Sequence, residues 1–233
     1  MRFKKCVTAL AVLVGLTAKL PAATVVIDNL KQGPFSYSAT GANAINGLNQ
    51  SGVDTLNGSR ATSISHLFSA GTSTLALSSG GPLSASSADS SYLVLGYGQE
   101  YTGGGMGTNP SLDLNTNLSN TDSLKVSFGS ATNIVSIQAF LMTHNAGGYG
   151  TIDNNGHAFL KPAGAGDAII PYSLLTNSSF GGANLSDIDA ILFTVQSGGS
   201  FTITQIAAVP EPSLLAAPLL LLGLPRRRRG RWA

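Results

Sequence analysis

Ser123-Leu124-Lys125-Val126-Ser127-Phe128 alternates polar and apolar residues one by one. Successive side chains of an extended chain point to opposite faces, so Leu124, Val126 and Phe128 share one face. That pattern predicts a strand with a single side on a core. Ser200-Phe201-Thr202-Ile203-Thr204-Gln205-Ile206 repeats it, with Phe201 and Ile203 inward and Thr202 and Thr204 outward. Residues 134–142 and 188–195 are instead continuous apolar runs, which predict central strands buried on both faces. Weaker strand candidates are 24–27, 73–77, 92–95 and 168–172.

Turn signals separate these segments: Asn57-Gly58, Gly80-Gly81-Pro82, Gly103-Gly104-Gly105, Asn155-Gly156 and Ser197-Gly198-Gly199. Lys and Glu, common on exposed helix faces, are nearly absent between the ends. The β-branched and aromatic runs argue against disorder in a Gly/Ser-rich chain. Eight or more short strands so punctuated predict an all-β fold, a β-sandwich of jelly-roll type. An N-terminal signal helix and a short C-terminal hydrophobic helix are expected to flank it.

Those flanks carry their own signals. Met1-Arg2-Phe3-Lys4-Lys5 is basic, residues 6–16 are apolar, and Pro21-Ala22-Ala23 offers small residues. This is the layout of a secretory signal peptide, with cleavage expected after Ala22 or Ala23 and a further small residue at Ala18. The apolar run is too short for the ~20 residues of a membrane span. Cys6, the one cysteine, lies inside it, so the exported chain is expected to hold no thiol, disulfide or thiolate metal site.

The C-terminus reads Val209-Pro210-Glu211-Pro212-Ser213, then an apolar run carrying Leu214, Leu215, Leu219, Leu220, Leu221, Leu222 and Leu224. Arg226, Arg227, Arg228 and Arg229 follow. A run of roughly 11–12 residues covers about 18 Å as a helix, against a hydrocarbon core of ~30 Å. Pro218 within it removes one helical hydrogen bond. A weak, transient anchor with the arginines on the cytoplasmic side is expected.

Pro210-Glu211-Pro212, a short apolar segment and a terminal basic cluster, in that order, resemble the PEP-CTERM sorting signal of bacterial exported proteins. The resemblance covers about 25 residues. It implies that the tail is recognised by exosortase, a membrane-embedded cysteine protease, at Pro210, Glu211 and Pro212, and it implies an exopolysaccharide setting. Pro218 and the short run depart from the pattern. Three parts are therefore expected: a signal peptide at 1–23, a β-sandwich at 24–208 and a sorting tail at 209–233. More loosely, Ile27-Asp28-Asn29, Gly58-Ser59-Arg60 and the stretch 185–193 resemble a module found upstream of such tails. That likeness implies a jelly roll like those of carbohydrate-binding and galactose-binding-like proteins.

Between Thr24 and Val209, four basic residues face ten acidic ones, leaving a charge of −6, although the whole chain is formally +2. The basic excess belongs to the ends, so nucleic acid is not an expected partner. Chemistry is sparse. His66, His144 and His157 show no metal-ligand spacing and read as surface residues. Gly103–Gly107 lacks the Lys-Ser/Thr of a phosphate loop. Asp153-Asn154-Asn155-Gly156 fits a hairpin turn better than a calcium loop. Asp187 and Asp189 read as a turn cap, with calcium ligation as the sharper alternative. Glu100 and Asp113 could be nominated as paired carboxylates. Arg60, the one arginine of the body, is expected to fix a loop through a buried ion pair with an aspartate. Tyr92, Tyr97, Tyr101 and Tyr149 could stack on sugar rings.

No catalytic residue, metal or cofactor is assigned from these patterns. The leading expectation is a non-enzymatic, exported protein of the cell surface or extracellular matrix, with exosortase and the membrane as partners. A carbohydrate-binding module of the exopolysaccharide matrix is the alternative, and a secreted hydrolase the third reading.

Overall fold

The computed structural model describes residues 22–67, 70–153 and 164–210. The first half of the chain forms β1 (Val25–Asp28), β2 (Phe35–Thr40), β3 (Ile45–Ser51), β4 (Ser59–His66), β5 (Thr72–Leu77), β6 (Leu83–Ser87) and β7 (Ser91–Tyr97). Two short strands follow, β8 (Gln99–Tyr101) and β9 (Met106–Thr108). The second half forms β10 (Ser123–Ala131), β11 (Ile134–Asn145), β12 (Gly148–Asp153), β13 (Gly166–Pro171), β14 (Thr176–Ser179), β15 (Ala190–Ser197) and β16 (Ser200–Val209). Helix among the described residues is limited to two single 3-10 turns, Pro110–Leu112 and Tyr172–Leu174.

These strands make two antiparallel sheets. Sheet A runs β13-β10-β16-β6-β5-β2, with β1 pairing the far half of β16. Sheet B runs β14-β12-β11-β15-β7-β4-β3, and β8 pairs only with β9. The pairings are nested. β5–β6 in sheet A lies inside β4–β7 in sheet B, and β10–β16, β11–β15 and β12–β14 wind around one another. That winding, with the chain passing repeatedly between sheets, is a jelly roll. The predicted all-β sandwich is the observed fold.

The alternation at 123–128 does what its period requires: Leu124, Val126 and Phe128 are buried while Lys125 and Ser127 are half-exposed. Phe128 meets Phe201 of β16 edge-on, centroids 6.0 Å apart. Residues 134–142 and 188–195 depart from expectation. Ile137, Ala139 and Leu141 are buried, but Gln138, Phe140 and Met142 keep partial exposure. β15 likewise buries Ile191, Phe193 and Val195 and half-exposes Leu192 and Thr194. The strands are central in sheet B, yet only one face meets the core; a two-layer sandwich has no third layer to cover the other.

Register changes refine the pattern. Ser127 pairs with Gln205, Phe128 with Ile203 and Ser130 with Thr202, so Thr204 and Gly129 each fall out of register. The skip at Thr204 brings Ile206 and Ala208 onto the same inner face as Ile203. A side chain at position 129 would meet Thr202 Oγ1 at 2.9 Å, which suits the glycine.

The turns at Asn57-Gly58, Gly80-Gly81, Gly103–Gly105 and Ser197–Gly199 all join strands as expected. Asn155-Gly156 lies outside the described residues. So do residues 1–21 of the expected signal peptide, Glu211, Pro212 and the apolar and arginine runs of the tail; Pro210, directly after β16, is described. The described strands form one compact unit, Ala23 to Pro210. No helix among the described residues is long and apolar enough to cross a membrane.

A buried polar knot ties the sheets together. Arg60 and Asp28 are each 1% exposed, and Arg60 Nη1 donates to Asp28 Oδ2 at 2.7 Å. Tyr97 Oη donates to the same oxygen at 3.0 Å, and the backbone N–H of Leu30 donates to Asp28 Oδ1 at 2.7 Å. Arg60 Nε and Nη2 both donate to Gln50 Oε1, and Nη2 also to the Gln32 carbonyl. Gln50 Nε2 then donates to the Gly33 carbonyl at 2.6 Å. Asp28 thus belongs to sheet A and Arg60, Gln50 and Tyr97 to sheet B. Burial and the Asp28 charge together push the Tyr97 phenol well above its usual range. The ion pair expected of Arg60 is present, and its partner comes from the Asp-Asn element noted in the sequence.

Candidate functional site

The outer face of each sheet is a possible binding surface, and their chemistries differ. On sheet A, Ser38, Thr74 and Ser86 line up across neighbouring strands, as do Ser36, Ser84 and Thr202 around Ala76. This is a face of small hydroxyls, several bonded to one another, as in Thr40–Thr72 and Ser130–Thr202.

Sheet B presents larger groups. One row reads Ile45, Ser65, Tyr92, Gln196, Ser136 across five strands. The next reads Gly47, Ser63, Val94, Thr194, Gln138. The third reads Asn49, Ala61, Gly96, Leu192, Phe140, Asp153. Tyr92, Val94, Leu192, Phe140, Gln138 and Gln196 are all half-buried. Together they form an apolar strip edged by two amides, and Ser136 Oγ donates to Gln196 Oε1 at 3.2 Å. Arg60 is the only Lys or Arg in the strands of sheet B, and it points inward.

The β8–β9 hairpin folds back over one end of this face. Glycines permit the approach. A side chain at Gly47 would lie 2.7 Å from the Tyr101 ring, and one at Gly96 would meet Gln99 at 3.1 Å and Met106 at 3.5 Å. Asn49 clamps the hairpin through both amide atoms: its Nδ2 donates to the Tyr101 carbonyl at 3.0 Å, and its Oδ1 accepts from the Tyr101 N–H at 2.6 Å. Gln99 is 4% exposed, and its Oε1 has no hydrogen-bond partner, while Nε2 faces the Met142 sulfur. The hairpin acts as a raised wall beside the open strip. A cleft of about 170 Å³ lies behind it, lined by Asn49, Gln50, Ser51, Ser59, Glu100 and Leu112 among others.

At the far side of the wall, Asp113 accepts from Tyr149 Oη at 2.7 Å, and His144 stacks on Tyr149 with centroids 4.9 Å apart. The backbone N–H of His144 donates to Asp189 Oδ2 at 2.6 Å. Burial, with the nearby Asp113 and Asp187 charges, raises the Asp189 carboxyl above its usual value despite that bond.

No family model and no curated protein matches this chain. Among solved structures it is similar to the family 11 carbohydrate-binding module of the cellulosomal cellulase Lic26A-Cel5E of Clostridium thermocellum. Identity is 14% and the TM-score 0.44, over 82% of this chain and 96% of that one. A family 11 module from the same organism, in complex with a β-1,3-1,4-mixed-linked tetrasaccharide, is similar at 14% identity and TM-score 0.43, over 80% and 95%. Likeness of this degree shows neither membership nor ligand, so binding has to be read from this chain's own surface.

Several expected site residues fall elsewhere. Tyr97 is fully buried in the polar knot and cannot stack on a ligand. Tyr101 covers Gly47 and Tyr149 stacks on His144, so of the four tyrosines only Tyr92 stands on the open strip. His66 is not a surface residue: it is 0% exposed, with Nδ1 at 2.8 Å from Ser73 Oγ. His157 lies outside the described residues. Glu100 accepts from Asn109 while Asp113 serves Tyr149, and no contact joins the two carboxylates. Asn184, not Asp187, caps the turn before β15, through the Ser186 N–H at 3.1 Å. Among the described residues no group of three or more His, Cys, Asp or Glu is placed to hold a metal.

Phe140, Gln138 and Gln196 were not singled out by sequence. Phe140 and Gln138 lie in or beside an apolar run read as buried on both faces, and knowing that one face is open is what reveals them.

Proposed function

We propose that this chain is an exported, non-enzymatic β-sandwich, sorted through its C-terminal tail, that binds neutral polysaccharide on the outer face of sheet B. The observation carrying this reading is the strip of Tyr92, Val94, Leu192 and Phe140 flanked by Gln138 and Gln196. A pyranose offers C–H-rich faces that pack on aromatic and aliphatic side chains, ringed by hydroxyls that both donate and accept. A primary amide likewise donates and accepts, so the two glutamines match those hydroxyls without a charge. No lysine or arginine among the described residues stands on the outer face of these strands, which together with the acidic body disfavours uronic-acid or phosphate polymers. The small hydroxyls of sheet A offer no comparable apolar surface.

Affinity electrophoresis of the mature chain through gels containing neutral glucans, mannans or galactans tests this, with alginate as the anionic comparison. Retardation by a neutral polymer is expected, with Tyr92→Ala and Phe140→Ala each weakening binding by about tenfold, or ~1.4 kcal/mol. Retention that both variants keep in full would place the ligand elsewhere.

The sorting tail is supported by Pro210-Glu211-Pro212, the apolar run and Arg226 to Arg229 in order. β16 ends at Val209, directly before the triplet, so the folded body reaches the sorting signal without a linker. Expressed with and without exosortase, the exported chain is expected to lose its residues after the triplet only when the enzyme is present. The C-terminal mass reads this directly, and Arg226–Ala233 retained in both hosts would mean a plain anchor.

A further inference from the structure

The outer face of sheet A changes character toward the strand end from which the chain leaves for the tail. Val26, Ala207, Lys125 and Ile169 lie in register across β1, β16, β10 and β13. Val26 and Ile169 are each 44% exposed, among the more exposed large apolar side chains of the described residues. One step further along, Val209 and Pro171 flank Ser123 and are half-exposed. Elsewhere that face carries mostly Ser and Thr, with Ala76, Gln205 and Asp167 among them. Lys125 sits amid the apolar patch with its ammonium 3.7 Å from Asp167, so the patch carries little net charge.

Chain length says what covers it. Four residues, 210–213, separate Val209 from Leu214, the first residue of the apolar tail. Five peptide steps reach about 18 Å at most. An inserted tail therefore holds this end of the body at the lipid headgroups, where exposed Val, Ile and Pro side chains gain by leaving water and a lysine can keep its ammonium in the polar layer.

We propose that the apolar end of sheet A, bounded by Val26 on β1 and Ile169 on β13, rests on the bilayer surface while the tail is inserted. The inference builds on the tail-anchor half of the proposed function and is independent of the glycan face. Contact of this kind fixes the body's orientation and presents the Pro-Glu-Pro triplet at the membrane surface, where a membrane-embedded protease works.

The test uses the mature chain with its tail, reconstituted in phosphatidylcholine–phosphatidylglycerol vesicles. Single cysteines are introduced by Val26→Cys, Ser84→Cys or Leu220→Cys and labelled with a polarity-sensitive dye. The first site is in the patch, the second on the hydroxyl part of the same face, and the third in the tail. Nitroxide lipids are expected to quench the dyes at 220 and 26 several-fold more than the one at 84. Quenching at 220 but not at 26 overturns the patch and leaves the tail reading standing. No quenching at 220 overturns both. A blue shift at 26 that lipid does not quench, and that grows with protein concentration, identifies a second copy as the occupant and overturns the proposal as well.

Discussion

Arg60→Met is expected to destabilise the body by about 3–5 kcal/mol, because it leaves the Asp28 carboxylate buried without its cation. Both groups are 1% exposed, so water cannot replace the lost partner in the native structure. The change also releases Gln50 Oε1 and the Gln32 carbonyl, which accept from the same guanidinium. A chain of this size is stabilised by roughly 5–15 kcal/mol in all, so the variant approaches the edge of folding. Urea denaturation followed by tryptophan-independent circular dichroism measures the effect. The double variant Asp28→Asn/Arg60→Met is expected to recover part of the loss, since it removes the stranded charge. A cost below about 1 kcal/mol for Arg60→Met would show that the pair does not hold the sheets together.

Gly98→Ala is expected to have the second-largest effect, and a local one. Gly98 joins β7 to the hairpin with φ at +69°. A Cβ there would lie 2.1 Å from the Asp189 carbonyl and 3.1 Å from the Ala190 Cα. Both obstacles are backbone, which cannot rotate aside as a side chain does. The left-handed conformation itself costs a non-glycine residue roughly 1–2 kcal/mol, and the clash adds to it. The cheapest escape is to lift the hairpin from the face, which gives up the two Asn49–Tyr101 bonds and exposes Gly47 and Gly96. Hydrogen exchange at the Tyr101 amide is therefore expected to accelerate far more than at core amides of β10 or β15. Equal acceleration throughout would mean that position 98 supports the whole sandwich and that the hairpin is not a separate wall.

Much of the architecture was legible because period-two alternation is local information. Leu124, Val126, Phe128, Phe201 and Ile203 declared their face without reference to any partner. The glycine-rich turns were legible for the same reason, since the backbone conformations they permit are a property of the residue. Arg60 was readable as half of an ion pair from its isolation, but its partner was not. Asp28 is one of ten acidic residues in the body, and only the crossing of β1 over β4 and β7 selects it.

The binding strip was illegible for a related reason. Phe140 and Gln138 stand in an apolar run whose second face could be covered or open, and strand sequence does not say how many layers a fold has. The tyrosines misled in the opposite direction. Tyr92 and Tyr97 lie on one strand, but their odd separation puts one on the open face and the other in the core. His66 was read as a surface residue and yet is buried, with its ring 2.8 Å from Ser73 of β5.

The sequence by itself determined the strands, their inward faces and the acidic body, all of which depend on residues near one another in the chain. Tertiary structure alone decided which carboxylate meets Arg60, that the hairpin shelters one end of sheet B, and which side chains remain on its open strip. It also placed Val26 and Ile169, 143 positions apart in the sequence, at the two ends of one cross-strand row of sheet A. Those outcomes follow from sheet order and register, where contacts form between segments far apart in the chain and no short-range pattern can specify them.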